Sequence, residues 1–128
     1  MVVAGAGKVL AMTIVVAVPE SAEGPAALAA AAAEAQRLGT DLVAVNVGLT
    51  PLDVAGVAVD GGVTVVERAG RADRDPADAV LDAIAEYGAE RLVIGVRRRS
   101  RVGKALLGSV SQRLILGSPV PVLAVKTD

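Results

Sequence analysis

Four consecutive stretches decide the fold: Arg91-Leu-Val-Ile-Gly-Val96, Arg97-Arg-Arg-Ser-Arg-Val-Gly-Lys-Ala-Leu-Leu107, Gly108-Ser-Val-Ser-Gln-Arg-Leu-Ile-Leu-Gly117 and Val120-Pro-Val-Leu-Ala-Val125. The first is a short apolar run rich in branched side chains, which reads as a strand buried on both faces. The second is a basic loop. In the third, Gly108-Ser109 opens a helix with Val110 and Leu114 on its inner face, and Gly117 closes it. The fourth is a last, apolar strand, but Pro121 cannot donate to a ladder, which places that strand at an edge or an interface. A strand, a crossover containing a helix and a second strand make a parallel βαβ unit.

The same grammar holds towards the N-terminus. Met12–Val18 is a β-branched apolar run. Pro19-Glu20-Ser21 ends it, Ser21 or Gly24 is placed to cap the next element, and Pro25 suits a first helical turn. Ala26–Leu38 is nearly all Ala, the best helix former, with Glu34 and Arg37 three apart on one face and Gly39 as its stop. Asp41–Val47 is a second strand. Residues 48–62 admit two readings. Val57–Val59 and Val63–Val65 could pair as a hairpin around an Asp60-Gly61 turn. Alternatively, residues 51–59 form a short crossover and only Val63–Glu67 is a strand, which is the preferred reading although a parallel crossover needs about a dozen residues. Asp75-Pro76 marks a helix start, Ala79, Val80, Ala83, Ile84 and Tyr87 form its apolar stripe, and Gly88 ends it. The expected fold is α/β: a doubly wound, open, mostly parallel five-stranded sheet in three α/β/α layers, Rossmann-like. One domain over 1–128 is expected, with residues 1–11 as a flexible N-terminal extension.

Composition removes several kinds of chemistry. The 128 residues include 25 Ala and 23 Val, one aromatic (Tyr87), no Cys and no His. There is accordingly no Ser-His or Cys nucleophile system, no zinc cluster of the usual kind and no disulfide. No aromatic platform exists for stacked bases, so nucleic acid is not an expected partner. The longest uncharged run, Leu114–Val125, is too short for a membrane span, which needs about 20 residues. Lys8 followed by Val9–Val18 has the outline of a signal peptide, but the sheet needs that segment as its first strand. The lack of Cys agrees with a reducing, cytoplasmic setting.

Charge is distributed unevenly. The net charge is -1, but residues 1–90 carry 5 basic and 13 acidic groups, and residues 91–128 carry 8 basic and 1 acidic. Arg97, Arg98, Arg99, Arg101 and Lys104 fall within eight positions. In an open parallel sheet, ligands bind beyond the carboxyl ends of the strands. Three such ends stand out: Val18-Pro19-Glu20, Val47-Gly48 and Ile94-Gly95-Val96. Gly95 lets a ligand approach the backbone, Gly108-Ser109 offers helix N-terminal amides to an anion, and the guanidinium groups suit phosphate. The plainer reading makes Gly95 a packing glycine and Gly108-Ser109 an ordinary cap. Gly5-Ala-Gly7-Lys8 echoes a P-loop but precedes its strand and lacks the Ser or Thr. Asp73, Asp75, Asp78 and Asp82 read as solvated charges at a helix start rather than as a metal site.

Gly95, Gly108 and Ser109, with the strand and helix around them, resemble the signature of the universal stress protein family. That signature runs Gly, two residues, Gly, nine residues, then Gly with Ser or Thr. Position 98, the middle glycine of the motif, is Arg here. The likeness covers residues 12–48 and 62–127. It implies a nucleotide site of Pro19, Val47, Ile94, Gly95, Arg98, Gly108, Ser109 and Val110. Pro19 stands where nucleotide-binding members carry an Asp for the adenine end. It further implies a non-enzymatic, cytoplasmic stress-response regulator binding ATP or AMP in a modified site, with Mg²⁺ only alongside nucleotide. A homodimer through Val120–Val125 is implied too. The alternative is a dimeric interaction module of the same fold that binds no nucleotide.

Overall fold

The computed structural model describes residues 12–67, 75–98, 105–106 and 108–127. In chain order the elements are β1 (Thr13–Val18), α1 (Glu23–Leu38), β2 (Asp41–Asn46), β3 (Val63–Val66), α2 (Pro76–Tyr87), β4 (Arg91–Arg98), β5 (Ala105–Leu106), α3 (Ser109–Gly117) and β6 (Val122–Thr127). Five strands form a parallel sheet in the order β3-β2-β1-β4-β6. The sequence-based fold class is what is found. The addition is β5, which pairs antiparallel with the end of β4 at Arg97 and Arg98. Arg97 also pairs with Thr127 of β6, so β5 lies on the opposite edge of β4, in line with the end of β1.

Two apolar layers sandwich the sheet, because successive side chains of a strand face opposite ways. On one face Ile14, Val16, Val18, Leu42, Ala44 and Val93 pack against Ala27, Leu28, Ala31 and Ala35 of α1. On the other, Val15, Ala17, Val43, Val45, Leu92, Ile94 and Val96 meet Ala77, Val80, Ala83 and Ile84 of α2 and Leu114 of α3. The central parts of β1, β2 and β4 therefore read as apolar runs, as strands covered on both faces do, whereas β3 and β6 are only partly buried.

Several boundaries differ from the sequence reading, each for a local reason. Helix α1 begins at Glu23, not Ala26. Its N-cap is Ala22, with no side-chain cap, so neither Ser21 nor Gly24 plays that part. The Ser21 carbonyl instead accepts the Gly24 N–H at 2.9 Å. β4 runs on through Arg97 and Arg98, expected as loop, because β6 and β5 supply ladder partners on its two edges. β6 starts at Val122, after Pro121, whose carbonyl accepts the Leu92 N–H at 3.0 Å. Gly117 is the last residue of α3 and Ser118 its cap. Gly39 and Gly88 do close α1 and α2, both in the left-handed conformation. Asp75 caps α2, accepting from the N–H groups of Ala77 and Asp78.

Between β2 and β3 the chain makes a crossover: residues 57–59 form no strand, so the Val57–Val59 hairpin is absent, and β3 pairs parallel with β2. Asp60 and Gly61 do form a turn, closed by the Gly62 N–H on the Val59 carbonyl at 2.9 Å, but that turn leads into β3 instead of doubling back. No helix forms here. Leu52, Val54, Val57 and Val59 cover the sheet with side chains from an irregular path.

Candidate functional site

Strands β1, β2 and β4 end together, and the segment after each shapes the rim. A cavity of about 200 Å³ opens there on the α2–α3 face, lined by Ala17, Pro19, Val47, Pro76, Ile94, Gly95, Val110, Ser111 and Leu114. Five of the residues singled out from sequence thus meet around one space: Pro19, Val47, Ile94, Gly95 and Val110. Gly108 and Ser109 do not line it, but they open the helix that does. Gly108 is extended and no side chain caps α3. The amides of its first turn have no intrahelical acceptor and carry the positive end of the helix dipole, so this rim suits an anion. Arg98 is the last residue of β4, and its side chain lies outside the described residues. So do Asp73, Arg99, Arg101, Lys104, the Gly5–Lys8 segment and the expected extension 1–11.

Gly95 owes its identity to packing. A Cβ there would stand 2.6 Å from the Glu23 carbonyl oxygen and 2.9 Å from the Glu23 Cβ, so the glycine admits the N-terminus of α1. Its backbone nonetheless forms part of the cavity wall. Ala17, Pro76, Ser111 and Leu114 were not singled out as site residues. Ser111 and Leu114 could have been found by stepping around the helix from Val110, whereas Ala17 and Pro76 depend on how α2 docks.

A second cavity of about 480 Å³ lies on the α1 face, between α1 and residues 50–53, and Pro19 borders both. Its polar groups are engaged in holding the crossover. Glu20 Oε2 accepts from the N–H groups of Leu49 and Thr50 and from the Thr50 hydroxyl. Asn46, only 3% exposed, donates to the Thr50 carbonyl and to Glu67 Oε1, both at 2.6 Å, and accepts from the Gly48 N–H at 2.9 Å. Glu67 Oε2 takes the Leu52 N–H at 3.0 Å.

Ion pairs tie the helices to the sheet and to one another. Arg97 meets Glu23 at 3.2 Å. The hydrogen bond from Ser21, then the backbone N–H of Glu23 itself and Arg97, hold the Glu23 carboxyl below its ordinary value. Burial pushes the Glu34 carboxyl up, but Arg37 and Arg91 outweigh it, and the net direction is down. Arg113 of α3 grips Asp75 at 2.9 Å and Asp78 at 2.8 Å. These two acids, read from sequence as merely solvated, clasp α2 to α3. Among the described residues, no group of three or more acids is placed to hold a metal ion, and no helix is long and apolar enough to cross a membrane.

An open, parallel α/β sheet with a pocket at a helix N-terminus beyond its strand ends defines a ligand-binding fold of the doubly wound class. The chain belongs to the universal stress protein family, whose family model matches residues 53–126. A universal stress protein of Mycolicibacterium smegmatis is 58% identical over 52 residues, which are 41% of this chain and 40% of that relative. The chain therefore spans less than half the length of the curated relatives it matches. Among solved structures, a universal stress protein from Archaeoglobus fulgidus superposes with a TM-score of 0.68 at 27% identity. That match covers 91% of this chain and all of the other. The Archaeoglobus fulgidus protein solved in complex with dAMP gives 0.58 at 26% identity, covering 90% of this chain and 98% of the other.

Proposed function

We propose that the chain is a non-enzymatic stress-response regulator that binds an adenine nucleotide, ATP or AMP, in the cavity between β4 and α3. The observation that carries this reading is the joining of an apolar slot, walled by Ile94, Val110 and Leu114, to an uncapped helix N-terminus. An apolar slot suits a ring and free amides suit a phosphate. The dAMP complex of the Archaeoglobus fulgidus relative supports it. Mg²⁺ would enter with the phosphates, since no cavity-lining residue is a carboxylate. Among the described residues the lining offers no general base to activate water, which supports the reading as binding without hydrolysis. The setting we propose is cytoplasmic.

A second reading is the nucleotide-free interaction module. It is favoured by the open edge of β6 and by Leu116 and Leu123, which are 86% and 40% exposed. Under either reading we propose a homodimer through β6, for which a strand with a single neighbour among the described residues is suited. Titration calorimetry with ATP and Mg²⁺, and with AMP, separates the two. Saturable heat and a thermal shift are expected; neither at millimolar ligand leaves the interaction module. Arg98→Gly then reports on the altered motif position. Affinity falls if that side chain contacts phosphate and rises if it obstructs.

A further inference from the structure

Resting on the nucleotide reading, we infer that Arg113 is a positioning residue of the cavity: its grip on Asp75 and Asp78 holds the start of α3 against the start of α2 and so sets the width of the slot that the ligand enters. The guanidinium spans the two helices, Nη1 meeting Asp75 Oδ1 at 2.9 Å and Nη2 meeting Asp78 Oδ1 at 2.8 Å. Both ends of this tie adjoin residues of the cavity wall. Asp75 immediately precedes Pro76, and Arg113 falls between Val110 and Leu114 along α3.

The apolar join between the two helices lies further along α3. Leu114 is buried in one cluster with Val80, Ala83 and Ile84, and a Cβ on Gly117 would stand 3.5 Å from Leu81 Cδ1. The first turn of α3 is placed differently. Gly108 and Ser109 are exposed, Val110 and Ser111 are only partly buried, and no side chain caps the helix. An uncapped first turn frays readily, yet Val110 and Ser111 of that turn form part of the wall. Arg113 is the side chain that carries a polar tie from the neighbouring turn to α2.

The tie suits placement more than stability. Exposed ion pairs contribute little to the stability of a fold, and all three side chains are about half exposed. Its geometry, however, is fixed from the α2 side, because Asp75 Oδ1 also accepts the N–H groups of Ala77 and Asp78 at 2.8 and 3.3 Å. A planar, two-pronged donor on acceptors held in this way defines a separation between helices. A slot kept at its working width before the ligand arrives binds more tightly than one that must first be ordered.

The test is calorimetric titration with AMP, well below the unfolding midpoint, of the whole unaltered chain, Arg113→Gln, Asp78→Asn and the double variant. Both single variants are expected to weaken AMP binding by about threefold or more, the scale of one exposed pair. The double variant is expected to be no weaker than Arg113→Gln, because the two changes remove the same contact. Asp78→Asn decides the cause. It takes away a negative charge close to an anion-binding rim, so attraction of phosphate to Arg113 through space alone would give tighter binding. Unchanged or tighter binding by Asp78→Asn overturns the inference and leaves the nucleotide reading in place. A loss in the double variant equal to the product of the two single losses overturns it too. So does a lowered unfolding midpoint with the affinity of the folded variants unaltered, which is the mark of a merely structural tie. No AMP binding by the unaltered chain removes the nucleotide reading, and this inference with it.

Discussion

On the α1 face of the sheet, backbones meet directly: Gly24 lies against the Pro19 carbonyl, and Gly95 against Glu23. The helix there buries mainly alanine, with Ala27, Ala31 and Ala35 fully covered. On the opposite face, α2 and α3 stand off on Val80, Ile84 and Leu114, and a gap of about 200 Å³ remains at the strand ends. Small residues let a helix sit down on a sheet. Larger ones keep it at a distance and leave ligand-sized space where they stop. The α1 face has a cavity as well, but only beyond its helix, where an irregular crossover replaces a second one, and polar side chains spend themselves on holding that segment in place.

Three measurements break or sharpen this contrast. The largest effect is expected from Leu114→Ala. Leu114 is fully buried and lines the small cavity, so truncation is expected to cost about 2–5 kcal/mol while enlarging the pocket. Urea denaturation reads the first effect. An unchanged midpoint would mean that α3 does not depend on that side chain. Next is Gly95→Ala, which adds one methyl group into the Glu23 backbone. Overpacking of this kind costs about 1–3 kcal/mol, and amide chemical shifts are expected to move at residues 21–25 more than along α3. Shifts confined to α3 would contradict the close α1 contact. The smallest effect is the acid response. Glu23 and Glu34 both belong to α1 and both have carboxyls held below the ordinary value near 4.5. Their contribution is present above that value and fades as pH falls through the lower folded-state values. Between pH 5 and 3, amide exchange in α1 is expected to speed up, with Arg97→Gln and Arg91→Gln reducing the pH dependence. A profile indifferent to both substitutions would remove these pairs as its source.

The sheet was largely legible in the sequence because apolar β-branched runs such as Met12–Val18 and Asp41–Val47 leave little choice of state, and Gly39, Gly88 and Asp75-Pro76 punctuate the helices between them. What was not legible depends on contacts between distant parts of the chain. The Asn46–Glu67 bond spans 21 positions and the Arg113–Asp78 bond 35, and no local pattern announces either. The early start of α1 was hidden because Ala22 caps it without a side-chain oxygen. The candidate site was legible in part. Spacing drew Gly95, Gly108 and Ser109 together, but whether Gly95 serves a ligand or a helix turns on what lies over it, and that is Glu23.

Strand order also brings the two oppositely charged parts of the chain together in space. β3, β2 and β1 come from the acidic first 90 residues, whereas β4 and β6 come from the basic remainder. Described basic side chains of the remainder meet acids of the first part: Arg91 pairs with Glu34, Arg97 with Glu23, and Arg113 with Asp75 and Asp78. Exposed pairs of this kind are screened, so added salt is expected to loosen the join between the two parts of the chain.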